Sequence, residues 1–431
     1  MVKRRYNGEN AGTGTMKLKI FIAFILAVVF CANAADTHTR VFNPRFRTLK
    51  VSVADDFMSL PAIAMESDQK IIISFDEIGD DYSQLQYKLI HCNADWQPSR
   101  LVESEYVDGF NIADIEDIGY SENTFVHYVN YRIVFPNPDM RVIHSGNYLL
   151  QVFERDNPDD IILQVRMMVY EDIARITGDV SGRTDKGHNL EWQQMEFETD
   201  LSGMERVNAF QDLTVKVMQN IDESSERTVA VPLRSEGARF YYAHKPELIY
   251  PAGNEYRRFE SVSNSFAGMN VDSLRYMGSN YHAWLKPDKG RALRNYEFDR
   301  TQHGRYLVRE YNATDSDLGA DYLTVNFTLQ IPQQRGVDIY VDGEMTHGVL
   351  DSTNRMVYDF AKGAYTLSMP LKQGAYNYRY LAVSHGEKMD LERSLSLVEG
   401  NKYETGNEYS VRIYYHPVGS RGDRLIGFKK L

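Results

Sequence analysis

Three short stretches hold side chains able to do chemistry. His91-Cys92 sets an imidazole beside a thiol, the combination that generates a thiolate nucleophile when the two share a proton. Both end the alternating run Tyr87–Cys92, which reads as a strand. Neighbouring strand side chains point to opposite faces, so these two cannot hydrogen-bond to each other, and no remote His is nominated. Cys92 is therefore expected to be structural. Asp315, Asp317 and Asp321 in DSDLGAD resemble part of a calcium loop. The EF-hand spacing, however, needs an oxygen donor where Leu318-Gly319 lies and a Glu where Asn326 falls. A solvated acidic loop is the expectation. Arg421-Gly422-Asp423 spells an integrin-binding tripeptide, a match that chance produces readily. The chain has no Gly-rich phosphate loop, HExxH, CxxC or GxSxG. Its carboxylates are plentiful, yet no spacing singles out a glycosidase pair. No catalytic, cofactor-binding or metal-ligating residue is nominated, and neither an enzyme nor a small-molecule substrate is expected.

What must position these residues is β structure. Tyrosine (29 residues) and phenylalanine (20) far outnumber tryptophan (3); aromatic and β-branched residues fit the half-buried face of a pleated strand. In Phe125–Phe135 the odd positions Phe125, Val129, Tyr131, Ile133 and Phe135 are apolar, with Asn130 and Arg132 between them. Ile161–Tyr170 alternates likewise, placing Gln164 and Arg166 opposite Ile161, Leu163, Val165, Met167 and Val169. Leu323–Ile331, Tyr376–Tyr380 and Tyr409–Ile413 repeat the period of two. Turn signals such as Gly79-Asp80-Asp81, Asn157-Pro158-Asp159 and Asp342-Gly343 separate these runs. The pattern predicts an all-β chain of two or three consecutive antiparallel, immunoglobulin-like β-sandwiches. The expected divisions are 35–173, 174–310 and 320–431, the last with an early-set-like cadence and with Asn312–Asp317 as a linker or exposed loop.

The amino terminus reads as an address. Lys17 and Lys19 precede the apolar run Ile20–Phe30, and Ala32-Asn33-Ala34 supplies small-x-small, so 1–34 is expected to be a signal peptide cut between Ala34 and Ala35. Met16 opens a complete signal by itself and is the expected true start. Cys31 follows the bulky Phe30, which disfavours a lipid anchor. Cleavage leaves Cys92 alone, so stability must come from packing. The formal net charge is −12, and it is −16 once the first 34 residues are set aside. Such a chain has no general attraction to nucleic acid or anionic lipid; neither nucleic-acid binding nor membrane insertion is expected.

Several local sequences, taken in order, go further. They are Tyr87-Lys88-Leu89-Ile90-His91-Cys92-Asn93-Ala94-Asp95-Trp96, Glu105-Tyr106-Val107-Asp108-Gly109-Phe110-Asn111, Ser145-Gly146-Asn147-Tyr148, Tyr250-Pro251-Ala252-Gly253-Asn254-Glu255-Tyr256 and Leu371-Lys372-Gln373-Gly374-Ala375-Tyr376. Tyr403-Glu404-Thr405-Gly406-Asn407-Glu408-Tyr409 and Asp423-Arg424-Leu425-Ile426-Gly427 close the series. Together they resemble the Plug family of the type IX secretion system of Bacteroidota. The resemblance implies a periplasmic protein at the inner face of the outer membrane, binding and closing the translocon β-barrel. It hands over no partner-binding residues. Gly109, Gly146 and Gly253 are expected in turns of unusual backbone angle, and Trp96, Tyr106 and Phe110 in the core rather than at an interface. The alternative class is a carbohydrate-binding or accessory module, which exposed coplanar rings on one sheet face would favour. A hydrolase with dispersed carboxylates would need a deep acidic cleft.

Two outcomes follow from the sequence. Intact mass measurement of the native protein should find an unlipidated chain beginning at Ala35; a diacylglyceryl-modified Cys31 would contradict this. Cys92 should resist thiol reagents in the folded protein, and Cys92→Ser should cost about 1 kcal/mol by placing a hydroxyl in an apolar site, measured by urea denaturation, with function unchanged.

Overall fold

The computed structural model describes Met1 and residues 36–204, 207–387 and 389–431. Ala34, Ala35 and the apolar run before them lie outside the described residues. Residues His38–Leu431 form one compact unit, which is all-β apart from a few short helical turns.

The first core lies between two sheets. One orders Arg40–Val41, Ile161–Tyr170, Gly146–Glu154, Leu85–Cys92 and Ile112–Asp114; the other orders Phe46–Val53, Ile71–Ile78, Tyr128–Phe135 and Asp117–Tyr120. Their inward residues, among them Ile71, Phe75, Leu89, Tyr131, Phe135 and Val152, are fully buried. A second core gathers Met195, Phe197, Val215, Val217, Tyr250, Val411 and Ile413. A third gathers Phe259, Ala283, Val325, Phe327, Ile339, Tyr376 and Tyr380. Aromatic pairs are frequent: the Tyr306 and Tyr376 rings stack at 5.2 Å and Phe75 on Tyr131 at 5.3 Å, which adds directional attraction to area burial.

The cores do not follow the chain as three beads. Leu213–Gln219 pairs antiparallel with Tyr409–Tyr415, which pairs with Arg424–Lys430, so the last 23 residues complete the second core. Strands of 320–384 instead pack with 257–308: Arg257–Ser261 and Tyr306–Val308 flank Gly374–Ser384. Each half-core leaves an apolar sheet face that only a distant segment can cover, and no composition shift marks where the chain crosses over. Pairing is also not wholly antiparallel. Ala62–Ala64 runs parallel to Ile161–Tyr170, and Tyr281–Leu285 parallel to Tyr322–Gln330.

Alternation located the strands well, but both faces of several are covered. Ile161–Tyr170 buries Gln164 and Arg166 as well as the apolar set, because the outer face of that sheet packs on a fourth cluster. This cluster contains Cys92, Trp96, Leu149, Met168, Met218 and Tyr414 and joins the first core to the second. Asn130, on the face opposite the apolar set, is buried and donates to Ser74 (3.0 Å) and Asp76 (2.8 Å). The strand expected from Phe125 starts at Tyr128, and Phe125 is 52% exposed. Gly109, Gly146 and Gly253 all have positive φ (113°, 150° and 60°). At Gly146 a Cβ would also sit 2.3 Å from His91 Nε2, so the turn and the packing both demand glycine.

Buried polar bonds tie the cores together. Lys372 of the third core pairs with Asp76 of the first at 2.7 Å, both side chains 1% exposed. Tyr322 donates to the same carboxylate at 2.7 Å, and the Lys372 ammonium lies 4.0 Å from the Tyr128 ring centroid. Arg379 bridges Asp342 (2.8 Å) and Asp222 (2.5 Å), joining third to second. Arg166 meets Glu223 at 2.8 Å, joining first to second, and Lys50 pairs with Glu344. Of the expected linker or exposed loop Asn312–Asp317, Asn312, Thr314 and Asp315 are exposed, while Asp317 and the residues just after it enter this lock. Asp315 caps the short helix Ser316–Gly319, while the Tyr128 hydroxyl donates toward the carbonyls of Leu318 (2.9 Å) and Ala320 (2.8 Å).

Removing one partner of a buried ion pair strands the other charge, at a cost of about 3–5 kcal/mol. Lys372→Met should therefore destabilise by that amount in urea denaturation. Adding Asp76→Asn should recover part of the loss, because no unpaired charge then remains. Equal stability of Lys372→Met and the parent would show that the pair locks nothing.

Candidate interaction surface

The groups singled out for chemistry are placed by packing. His91 and Cys92 point to opposite sides of their strand, as expected. His91 Nε2 meets the Ser145 carbonyl at 3.2 Å, while Cys92 sits in the cluster that joins the first and second cores. Burial, with help from His144, pushes the His91 imidazole down to about 4; burial pushes the Cys92 thiol up to about 12. Neither group is poised for proton transfer near neutral pH. Asp321 is buried, not solvated: its carboxylate accepts from the Phe125 and Val126 amides at 3.1 Å each. Asp315 caps a helix, and Asp317 contributes its backbone carbonyl to Lys372 at 2.6 Å. Arg421 pairs with Glu105, and Asp423 accepts from the Ala94 amide at 2.7 Å, which consumes the tripeptide in a contact between chain segments 329 residues apart. Among the described residues no group of three His, Cys, Asp or Glu side chains is arranged to hold a metal.

Trp96 and Tyr106 are buried as expected, at 4% and 5% exposure, but Phe110 is 84% exposed. The reason lies in its neighbours. Asn111 turns inward and satisfies the Leu89 backbone twice, accepting from its amide (3.0 Å) and donating to its carbonyl (2.9 Å). With Asn111 committed to that strand and Gly109 turning the chain, Phe110 is directed outward.

One group of exposed apolar side chains lies around Asp321. Phe125, from the first core's chain, meets Tyr276 and Tyr281 of the third core at 5.2 and 5.4 Å between ring centroids. Phe125 is 52%, Tyr276 49% and Met277 55% exposed. Asn264 reaches the same Asp321 carboxylate at 3.4 Å, and two residues on, Phe266 packs on Tyr311 at 5.7 Å, these rings being 46% and 63% exposed. Aromatic and Met side chains grouped in this way are what protein interfaces concentrate at their centres. The planes of the triad tilt by 46°, 68° and 62°, so they do not form a flat platform on which a sugar ring stacks. No sequence pattern could have found the patch, because Phe125 and the Tyr276–Tyr281 pair come from distant parts of the chain and their rings meet only in the folded protein. Among the described residues no helix is long and apolar enough to cross a membrane.

Residues 46–171 match the family model for the type 9 secretion system plug protein 1st domain, an interval that coincides with the first core. No curated protein matches the sequence. Among solved structures, a hypothetical protein from Parabacteroides merdae ATCC 43184 superposes with a TM-score of 0.88 at 37% identity, covering 91% of this chain and 98% of that one. With the plug domain matched over the whole first core and a homologous fold running through the other two, the chain belongs to the type 9 secretion system plug protein family.

Proposed function

We propose that this protein is a non-catalytic plug that binds the periplasmic end of the type IX outer-membrane translocon barrel and closes it. The reading rests on one observation above others: the family match over residues 46–171. Two physical features support it. The His91, Cys92 and Asp315–Asp321 groups are absorbed in packing and capping, leaving none of them as a reactive centre. The three cores are cross-linked by buried ion pairs, which lets a body press against an opening without its parts sliding. The face around Phe125, Tyr276 and Met277 is the contact surface we assign to the barrel. Its apolar centre makes the complex only modestly salt-sensitive.

Deletion of the gene should leave secretion intact but admit large dyes or antibiotics that the outer membrane otherwise excludes. The leak should vanish when the barrel is deleted too; a leak that persists without the barrel would refute plugging. Replacing Phe125, Tyr276 and Met277 together by Ser should reproduce the leak and abolish co-purification of the barrel, with the melting temperature unchanged. Undiminished co-purification would move the contact elsewhere on the surface.

A further inference from the structure

Residues 286–300, KPDKGRALRNYEFDR, carry five cations and three carboxylates in a chain whose net charge is −12. Two of those carboxylates are answered from outside the segment: Asp288 by Arg257 at 2.7 Å and Asp299 by Arg258 at 2.7 Å. Arg291 is spent on Glu399 at 2.6 Å. Lys286, Lys289, Arg294 and Arg300 remain exposed, opposed within the segment only by exposed Glu297. The exposed charge of the segment itself is therefore net positive on an acidic protein.

The same segment holds two apolar side chains in solvent. Leu293 is 102% and Phe298 73% exposed, and Leu397 beside it is 40% exposed. They are not loose ends. The amides of Arg291 and Ala292 donate to the Val398 carbonyl (2.8 and 3.1 Å), and Lys402 donates to the Ala292 carbonyl at 3.2 Å. Tyr296 donates to Glu255 at 2.7 Å, and the Gln302 amide to Asn377 at 2.5 Å. Glu399, which fixes Arg291, is itself held ionised: burial opposes this, but Arg257 and Arg291 outweigh it and draw the carboxyl down to about 2. The backbone is thus pinned on both sides while Leu293 and Phe298 are held outward.

We infer that the Lys286–Arg300 segment is a phospholipid-surface anchor, with Leu293 and Phe298 entering the acyl boundary and Lys286, Lys289, Arg294 and Arg300 facing anionic headgroups. A protein interface of ordinary strength needs about 800 Å² of fitted surface on each side; two exposed side chains offer no such area. Insertion of roughly 5–10 Å into a bilayer boundary needs only a few apolar groups flanked by cations, and that is the combination present. The inference goes beyond the plugging role and does not need it, since lipid binding is measured with no barrel in the sample.

The test is flotation with vesicles of phosphatidylethanolamine and phosphatidylglycerol, compared with phosphatidylcholine alone. Parent and Leu293→Ser/Phe298→Ser proteins are both isolated from native envelopes and matched in amino terminus by mass measurement, so that the Ile20–Phe30 run does not bias the result. The parent should bind the anionic vesicles, more weakly at high salt. The double variant should bind about tenfold less or worse, at an unchanged melting temperature. Arg294→Glu/Arg300→Glu should lose the preference for anionic lipid. A parent that does not float, or a double variant that floats equally well, overturns the proposal. So does a double variant that floats normally but no longer co-purifies with the barrel, which would make the segment a protein contact.

Discussion

The fold depends on a buried ammonium–carboxylate pair. Lys372 and Asp76 meet at 2.7 Å with almost no solvent access, in surroundings where an isolated charge of either sign would be severely penalised. The pair survives because its remaining hydrogen-bonding capacity is filled. Tyr322 and Asn130 donate to Asp76, the Asp317 carbonyl accepts from Lys372 at 2.6 Å, and the Tyr128 ring covers the ammonium. Every one of these partners comes from a strand or turn that also builds a core. The pair therefore works less as a source of net stability than as a gauge: it is satisfied only when the first and third cores are docked in one register.

The same logic extends to Arg379, which reads Asp222 and Asp342 together, and to Arg166 with Glu223. Hydrophobic packing alone would allow sandwich faces to slide, since area burial is nearly indifferent to small shifts. Charge pairs inside a low-dielectric junction do not tolerate such slippage. Three sandwiches joined by loops would ordinarily move relative to one another; here the chain is also threaded back, with Tyr409–Tyr415 returning to pair with Leu213–Gln219. Membership in a plug family and this kind of internal cross-linking are physically compatible, because closing an opening demands a body that keeps its outline.

The solvent face carries two kinds of apolar exposure, which suit different tasks. Around Asp321 the rings of Phe125, Tyr276 and Tyr281 touch one another and form a continuous surface. Leu293 and Phe298 are exposed in a segment that also exposes four cations. Both are positioned by buried carboxylates, Asp321 in one case and Glu255 and Glu399 in the other. In this protein interior polar groups decide where surface apolar groups appear.

The sequence by itself determined the all-β class, most strand positions and the structural role of Cys92, since these follow from local alternation and from a thiol count. It also sufficed for the glycines at 109, 146 and 253, whose turn context is local. What only the tertiary structure decided is everything that depends on distant partners. The exchange of Tyr409–Lys430 into the second core has no local signature, because a strand's alternation says which face is apolar but not which sheet will cover it. Asn130 and Arg166 are polar residues opposite the apolar set of their strands; Arg166 is buried where the joining cluster packs on its sheet, and Asn130 where its partner Asp76 meets Tyr322 and Lys372. Phe110 and Phe125 sit in apolar patterns, yet they are exposed because Asn111 and Asp321 claim the neighbouring backbone. Local chemistry sets the period of each element, whereas burial is a property of the assembled layers, and so the interaction surface became legible only once those layers were in place.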